Sequence, residues 1–211
     1  MADNLESLSE LQLDVFREIG NIGSSSAAIA LSKVVEKKIS LSLPKVKILK
    51  FNEISDIVGG EETLVVGILQ PMQGDLTGNI LFLLGLQQAH DLALLLLSRM
   101  LNVNKSSIDL FAFDEMEFSA LKEIGNIMIS SYLSAISALT NLKIRTAIPQ
   151  ISLDMAAAIL SVLAIEYGKV GDHVLYISSE FNQDNMKVGG DFFLVPDMAS
   201  LNKLLHALGV N

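Results

Sequence analysis

A segment near the start of the chain recurs 105 residues later, and this repeat limits the possible folds more than any other feature. LDVFREIGNIGSSSAAIALSKVVEKKISLSLPKV, from Leu13 to Val46, aligns without gaps to FSALKEIGNIMISSYLSAISALTNLKIRTAIPQI, from Phe118 to Ile151, with twelve identities in thirty-four positions. Among them are Glu18/Glu123, Ile19/Ile124, Gly20/Gly125, Asn21/Asn126, Ile22/Ile127, Ala30/Ala135 and Pro44/Pro149. A weaker echo pairs the apolar run after Gly78 (NILFLL) with the run after Gly190 (DFFLVP), at an offset of 112. Self-similarity of this kind marks one unit used twice, and overlooking it would mis-assign the architecture. The expectation is one domain over residues 1–211, built of two repeats at about 8–105 and 113–211 that share a core.

Periodicity supplies the elements. Leu11, Val15, Ile19 and Ile22 recur at the three-and-four spacing of an amphipathic helix running from about Leu8 to Val35, and Ser7 with Glu10 offers a capping box at its start. Its copy begins near Asp114, with Glu117 in the matching place. After each helix come β-favouring stretches, Ile39 to Phe51 and Ile144 to Leu153, each broken by a proline that suits an edge or a bend. Further strands are expected at Thr63–Leu69, Leu76–Leu84, His173–Phe181 and Lys187–Val195, and further helices at Gln87–Leu101, Asp154–Ile165 and Met198–Leu208. Each half then supplies about three strands and three helices. Turns such as Gln73-Gly74-Asp75 and Asn182-Gln183-Asp184 join the strands tightly. The fold class is therefore α+β: an internal duplication with pseudo-twofold symmetry, its mixed, mainly antiparallel sheet flanked by helices.

Composition removes several kinds of chemistry. Half of the residues are hydrophobic and 18% are charged, ample for a packed core. Fifteen Lys and Arg face twenty-four Asp and Glu with no clustered basic face, so no nucleic-acid partner is expected. The lack of cysteine removes thiolate zinc sites and cysteine nucleophiles, and the scattered His90, His173 and His206 suggest no metal centre. The N-terminus is acidic and serine-rich rather than signal-like, and the apolar window Leu92–Leu97 is too short to cross a bilayer. A cytoplasmic protein without membrane insertion is expected.

The residues that could carry chemistry occur twice. Asp14, Glu18 and Asn21 stand at i, i+4 and i+7 and share one helix face, as do Ser119, Glu123 and Asn126. This face flanks the buried stripe and reaches solvent. Asn and Gly both weaken a helix interior, Gly by roughly 1 kcal/mol relative to Ala. Keeping Gly20-Asn21 and Gly125-Asn126 therefore suggests that function, not stability, sets these residues. A phosphate-binding loop at Gly20-Asn21-Ile22-Gly23-Ser24-Ser25-Ser26 fits less well, because the preceding residues are already helical and the second copy has Met128 in place of Gly23.

The pattern Asp/Ser, three residues, Glu, two residues, Asn, twenty-two residues, Pro is met by Asp14, Glu18, Asn21 and Pro44, and again by Ser119, Glu123, Asn126 and Pro149. It resembles the active-site signature of the CheC/CheX/FliY family of bacterial chemotaxis phosphatases, and two intact copies in 211 residues are most similar to the CheC type. The resemblance implies hydrolysis of CheY-phosphate, the aspartyl-phosphate form of a response regulator. It assigns catalysis to Glu18, Asn21, Glu123 and Asn126, with Asp14, Ser119, Pro44 and Pro149 as supporting positions. Asparagine can hold the attacking water without repelling the phosphoryl group, while glutamate anchors a lysine of the regulator. No cofactor of the chain's own is implied, because Mg²⁺ belongs to the substrate. Resemblance also suggests a docking surface for the receptor deamidase CheD on a helix opened by Asp154, with Ala157 and Ala158 on its surface. Two other readings stay open: a non-catalytic flagellar-switch binding module, against which the retention of both Glu/Asn pairs speaks, and an adaptor that binds CheD or CheY and whose phosphatase activity is incidental.

Overall fold

The computed structural model describes residues 10–42, 44–101, 113–167, 173–183 and 186–209. Both copies of the repeat open with a 26-residue helix, α1 (Glu10–Val35) and α4 (Glu115–Thr140), in register at the offset of 105. Helix α4 starts with the expected capping box: Asp114 accepts from the Glu117 amide at 2.8 Å, and the Glu117 carboxylate accepts from the Asp114 amide at 3.0 Å. Its counterpart at α1 calls on Ser7, outside the described residues. Both helices stop on matched residues in the left-handed region, Glu36 (φ 55°) and Asn141 (φ 57°).

Each helix leads into two short strands separated by a loop that ends in the repeated proline. β1 (Ser40–Leu41) and β2 (Lys45–Lys50) flank Pro44; β5 (Ile144–Thr146) and β6 (Gln150–Met155) flank Pro149. The missing amide hydrogen of proline thus falls where no ladder bond is needed. Next come α2 (Ile54–Ile57), not foreseen from periodicity, and the hairpin β3 (Leu64–Gly74) and β4 (Gly78–Gly85). Helix α3 (Leu86–Leu101) closes the first half. The second half continues with α5 (Ala156–Tyr167), the hairpin β7 (His173–Gln183) and β8 (Met186–Pro196), and α6 (Met198–Ala207). Each half contributes four strands rather than three, because each proline-broken segment makes two. Residue 184 of the proposed second turn lies outside the described residues.

The eight strands form one antiparallel sheet, with β1 and β2 on β7, then β8, β4 and β3, and β5 and β6 on β3. The outer strands of each half therefore pair with the hairpin of the other half. Ladder register supplies the repeat's finer alignment. Val46 opposes Ile177 and its repeat mate Ile151 opposes Ile68, so Ile68 and Ile177 are mates, 109 residues apart. Ile68 and Ile177 in turn oppose Phe82 and Phe192, which makes those two mates as well. The sequence echo of Gly78 with Gly190, at 112, is thus out of register by two residues with the ladder offset of 110. Phe82 and Phe192 also oppose each other across β4 and β8, their rings stacked at 4.3 Å, which puts the pseudo-twofold axis between them.

One sheet face is covered by α1, α3, α4 and α6, where Phe16, Ile19, Leu31, Ile124 and Leu133 join Ile68, Phe82, Ile177 and Leu201 in one buried cluster. The other is covered by α2 and α5 through Ile54, Ala156, Leu160 and Leu163 against Val65, Leu81 and Phe193. A buried hydroxyl network joins Ser24 of α1, Tyr132 of α4 and Ser179 of β7. Among the described residues no helix is long and apolar enough to cross a membrane.

Candidate active site

Helix geometry divides the two polar triplets by depth. Asp14 and Glu18 are exposed while Asn21 is half-buried; Ser119 and Glu123 are exposed while Asn126 is half-buried. The asparagine is the member closest to the sheet. It sits one residue after the glycine on which the helix approaches the strands, and a Cβ at Gly20 would come to 3.0 Å from Val46 Cγ2 and 3.4 Å from Pro44 Cγ. A Cβ at Gly125 would come to 2.6 Å from Ile68 Cδ1. These glycines therefore have a packing reason to persist, contrary to the expectation that function alone sets them. Their small size lets the Asn-bearing turn lie down on the sheet, so the link to function runs through position.

The second copy opens onto a cleft of about 700 Å³. Ser119, Lys122, Glu123 and Asn126 of α4 form one side, and Thr146, Ala147, Ile148 and Pro149 of the β5–β6 loop form the other, with Leu96, Leu97 and Met116 at the apolar end. Four of the residues singled out in sequence, Ser119, Glu123, Asn126 and Pro149, thus line one recess. Ile148 is 86% exposed and Met116 48%, leaving an apolar rim beside a polar floor. Such a rim next to polar groups suits contact with another macromolecule. An apolar residue directly before Pro149 was the available sequence signal for Ile148.

The first copy differs in its polar neighbours. Asp14 is bound by Arg17 one helical turn away, an exposed pair of small energetic weight. At the matching places the second copy has Ser119 and Lys122. Pro44 contacts the helix at Gly20, beside Asn21. At the second copy, Asn126 is engaged by a residue that sequence reasoning missed: Gln70 of β3, almost fully buried, donates from Nε2 to Asn126 Oδ1 at 3.1 Å. Its only sequence signal is a polar residue directly after the apolar run Leu64–Leu69.

The proposed CheD surface needs correction in part. Asp154 does not open the helix; it is the fifth residue of β6, paired with Val65, and its carboxylate accepts from the Met155 amide at 2.8 Å. Ladder pairing to β3 holds the chain extended through Met155, so α5 begins at Ala156. Ala157 and Ala158 are on α5 and exposed, near Val162 and Ile165, which are 53% and 84% exposed.

Comparison with known proteins adds a family context. The model of the CheC-like family matches residues 11–48 and again 116–153. The chain is 35% identical over 206 residues to the CheY-P phosphatase CheC of Bacillus subtilis (strain 168), covering 97% of each. It is 28% identical over 149 residues to the flagellar motor switch phosphatase FliY of the same organism, 71% of this chain and 37% of that protein. Among solved structures, FliY from Thermotoga maritima superposes with a TM-score of 0.74 at 20% identity, covering 96% of this chain and 98% of that one. The middle domain of FliM from H. pylori gives 0.68 at 14% identity, with coverage of 95% and 99%. Identity at these two levels speaks for the fold alone.

Proposed function

The chain belongs to the CheC-like family, and from that premise we propose that it dephosphorylates CheY-phosphate in bacterial chemotaxis, with Glu18/Asn21 and Glu123/Asn126 as two catalytic pairs. One observation carries the residue assignment: the same exposed glutamate and half-buried asparagine, one turn apart, stand on matched helices in both halves of the molecule.

The chemistry suits what these side chains can do. Hydrolysis of an acyl phosphate is governed by positioning and charge stabilisation, with water in line with the departing carboxylate. An uncharged amide offers donors and an acceptor, so Asn21 or Asn126 orients the water beside an anionic phosphoryl group without repulsion. Glu18 or Glu123, exposed one turn earlier, pairs with a lysine on the regulator and sets the docking register. Mg²⁺ and the phosphoaspartate remain with the regulator. Asp14 and Ser119 extend the docking face, and Pro44 and Pro149 shape the loop beside each asparagine. The setting is cytoplasmic, where the regulator works.

Turnover separates this reading from a non-catalytic adaptor. A small amount of the protein is expected to clear a large molar excess of CheY-phosphate, followed by phosphate release. Loss of phosphorylated regulator limited to the molar amount of protein added would instead indicate an adaptor.

For regulation, CheD is proposed to dock on the exposed apolar face of α5, centred on Ala157 and Ala158, with Asp154 at its edge. Ala158→Glu puts a charge on that face, and Asp154→Ala removes one from its edge. Ala158→Glu is expected to weaken CheD binding at least about tenfold, as an uncompensated charge at an interface does, with basal phosphatase activity kept. Unchanged affinity in calorimetry for both variants would remove α5 from the surface.

A further inference from the structure

The two asparagines stand in unlike surroundings. Gln70 lies in β3 on the face covered by α4 and is 1% exposed. Its Nε2 donates to Asn126 Oδ1 at 3.1 Å and to the Ala147 carbonyl at 3.0 Å. A carbonyl oxygen only accepts, so the Gln70 nitrogen must face Ala147, and the Asn126 atom meeting that same nitrogen must be its oxygen. The network thus settles which way Asn126 points: Oδ1 toward the sheet, with the Nδ2 donors turned away from Gln70. Gln70 Oε1 is buried with no hydrogen-bond partner among the described residues. A side chain kept for stability alone would avoid that penalty by being apolar.

The repeat provides an internal comparison. Gln70 and Ser179 are mates, each two residues beyond the matched isoleucines Ile68 and Ile177. The Ser179 hydroxyl is engaged by Tyr132 and Ser24, and among the described residues the Asn21 side chain has no hydrogen-bond partner. Ser179 is also shorter than glutamine, so among the described residues the first half has no equivalent of the Gln70 bridge.

The geometry points to Gln70 as a positioning residue of the second site. It holds the Asn126 amide in one orientation and ties it to Ala147, in the loop that walls the far side of the cleft. Gln70 acts through Asn126 and touches no substrate. An amide fixed before the regulator arrives need not be ordered at the moment of reaction, so the gain appears in kcat. This inference rests on the reading of Asn126 as the residue that orients the water.

The test uses two parent proteins: Asn21→Ala, which keeps the second site, and Asn126→Ala, which keeps the first. Gln70→Met, close in shape and apolar, and Gln70→Leu are placed in both, and phosphate release from CheY-phosphate is followed over a range of substrate concentrations. In the Asn21→Ala parent, kcat is expected to fall about tenfold with KM within about twofold. First-site kinetics in the Asn126→Ala parent should stay within about twofold and so report that the fold is intact. Equal losses in both parents, or a change confined to KM, would make Gln70 a structural residue and overturn the inference. Unchanged kcat in the Asn21→Ala parent overturns it too. Adding Asn126→Ala to Asn21→Ala tells the two failures apart: if activity persists, the reading of Asn126 is wrong, whereas if it vanishes while the Gln70 variants stay active, only the positioning role is lost.

Discussion

Replacing Asn21 and Asn126 together by alanine is expected to slow phosphate release from CheY-phosphate by at least about 10²-fold, the scale of loss when a preorganised polar group at a reacting centre is removed. Each single substitution should remove only the activity of its own half, so that the two single losses account for the double. The two residues are on separate helices and share no hydrogen-bond partner among the described residues, which is the condition for additivity. Stability should change little. Alanine is a better helix former than asparagine by several tenths of a kcal/mol at both positions, while Asn126→Ala also takes one acceptor from the buried Gln70 amide, a loss of about 1 kcal/mol in the opposite direction. Circular dichroism should therefore match that of the parent protein and the melting temperature should stay within a few degrees of it. A folded double variant that retained full activity would remove both amides from the mechanism.

That expectation was legible early because the residues concerned sit on long, strongly periodic helices and are duplicated. Ile19 and Ile124 fix the buried stripe, so Glu18, Asn21 and their mates fall beside it by helix geometry alone. Properties that depend on distant segments were not legible. The exchange of outer strands, which sets β2 on β7 and β6 on β3, leaves no trace in local periodicity. Asp154 reads locally as a helix-opening acid, whereas its ladder partner Val65, far away in sequence, keeps it extended and moves the start of α5 to Ala156. Gln70 shows its importance only through Asn126, fifty-six residues on. Gly20 and Gly125 looked like functional exceptions because the strands they touch, at Val46 and Ile68, could not be placed against the helices.

The largest stability effect is expected where the two long helices break the symmetry of the repeat. A Cβ at Gly23 would come to 2.9 Å from Cε1 of Tyr132 and closer still to Cδ1. That ring cannot easily retreat, since its hydroxyl is held by Ser24 and Ser179 and it packs at 4.5 Å on Phe192. By the offset of 105, the mates of Gly23 and Tyr132 are Met128 and Ala27, both buried. One side of the pseudo-twofold thus combines the smallest residue with a large aromatic, and the other combines two of intermediate size. Gly23→Met alone is expected to destabilise by about 3 kcal/mol through overpacking, and Tyr132→Ala alone by about 3–5 kcal/mol through the cavity it leaves. At this chain length each should lower the melting temperature by roughly 10 °C. The double variant recreates the Met/Ala combination of the other side and should recover a coupling energy of about 2–3 kcal/mol. Ser24 and Ser179, whose hydroxyls are 3.1 Å apart, keep each other as partners once the tyrosine is gone. Urea unfolding of the four proteins gives the coupling directly, and simple additivity of the two losses would show that the sizes at the helix crossing were not matched to each other.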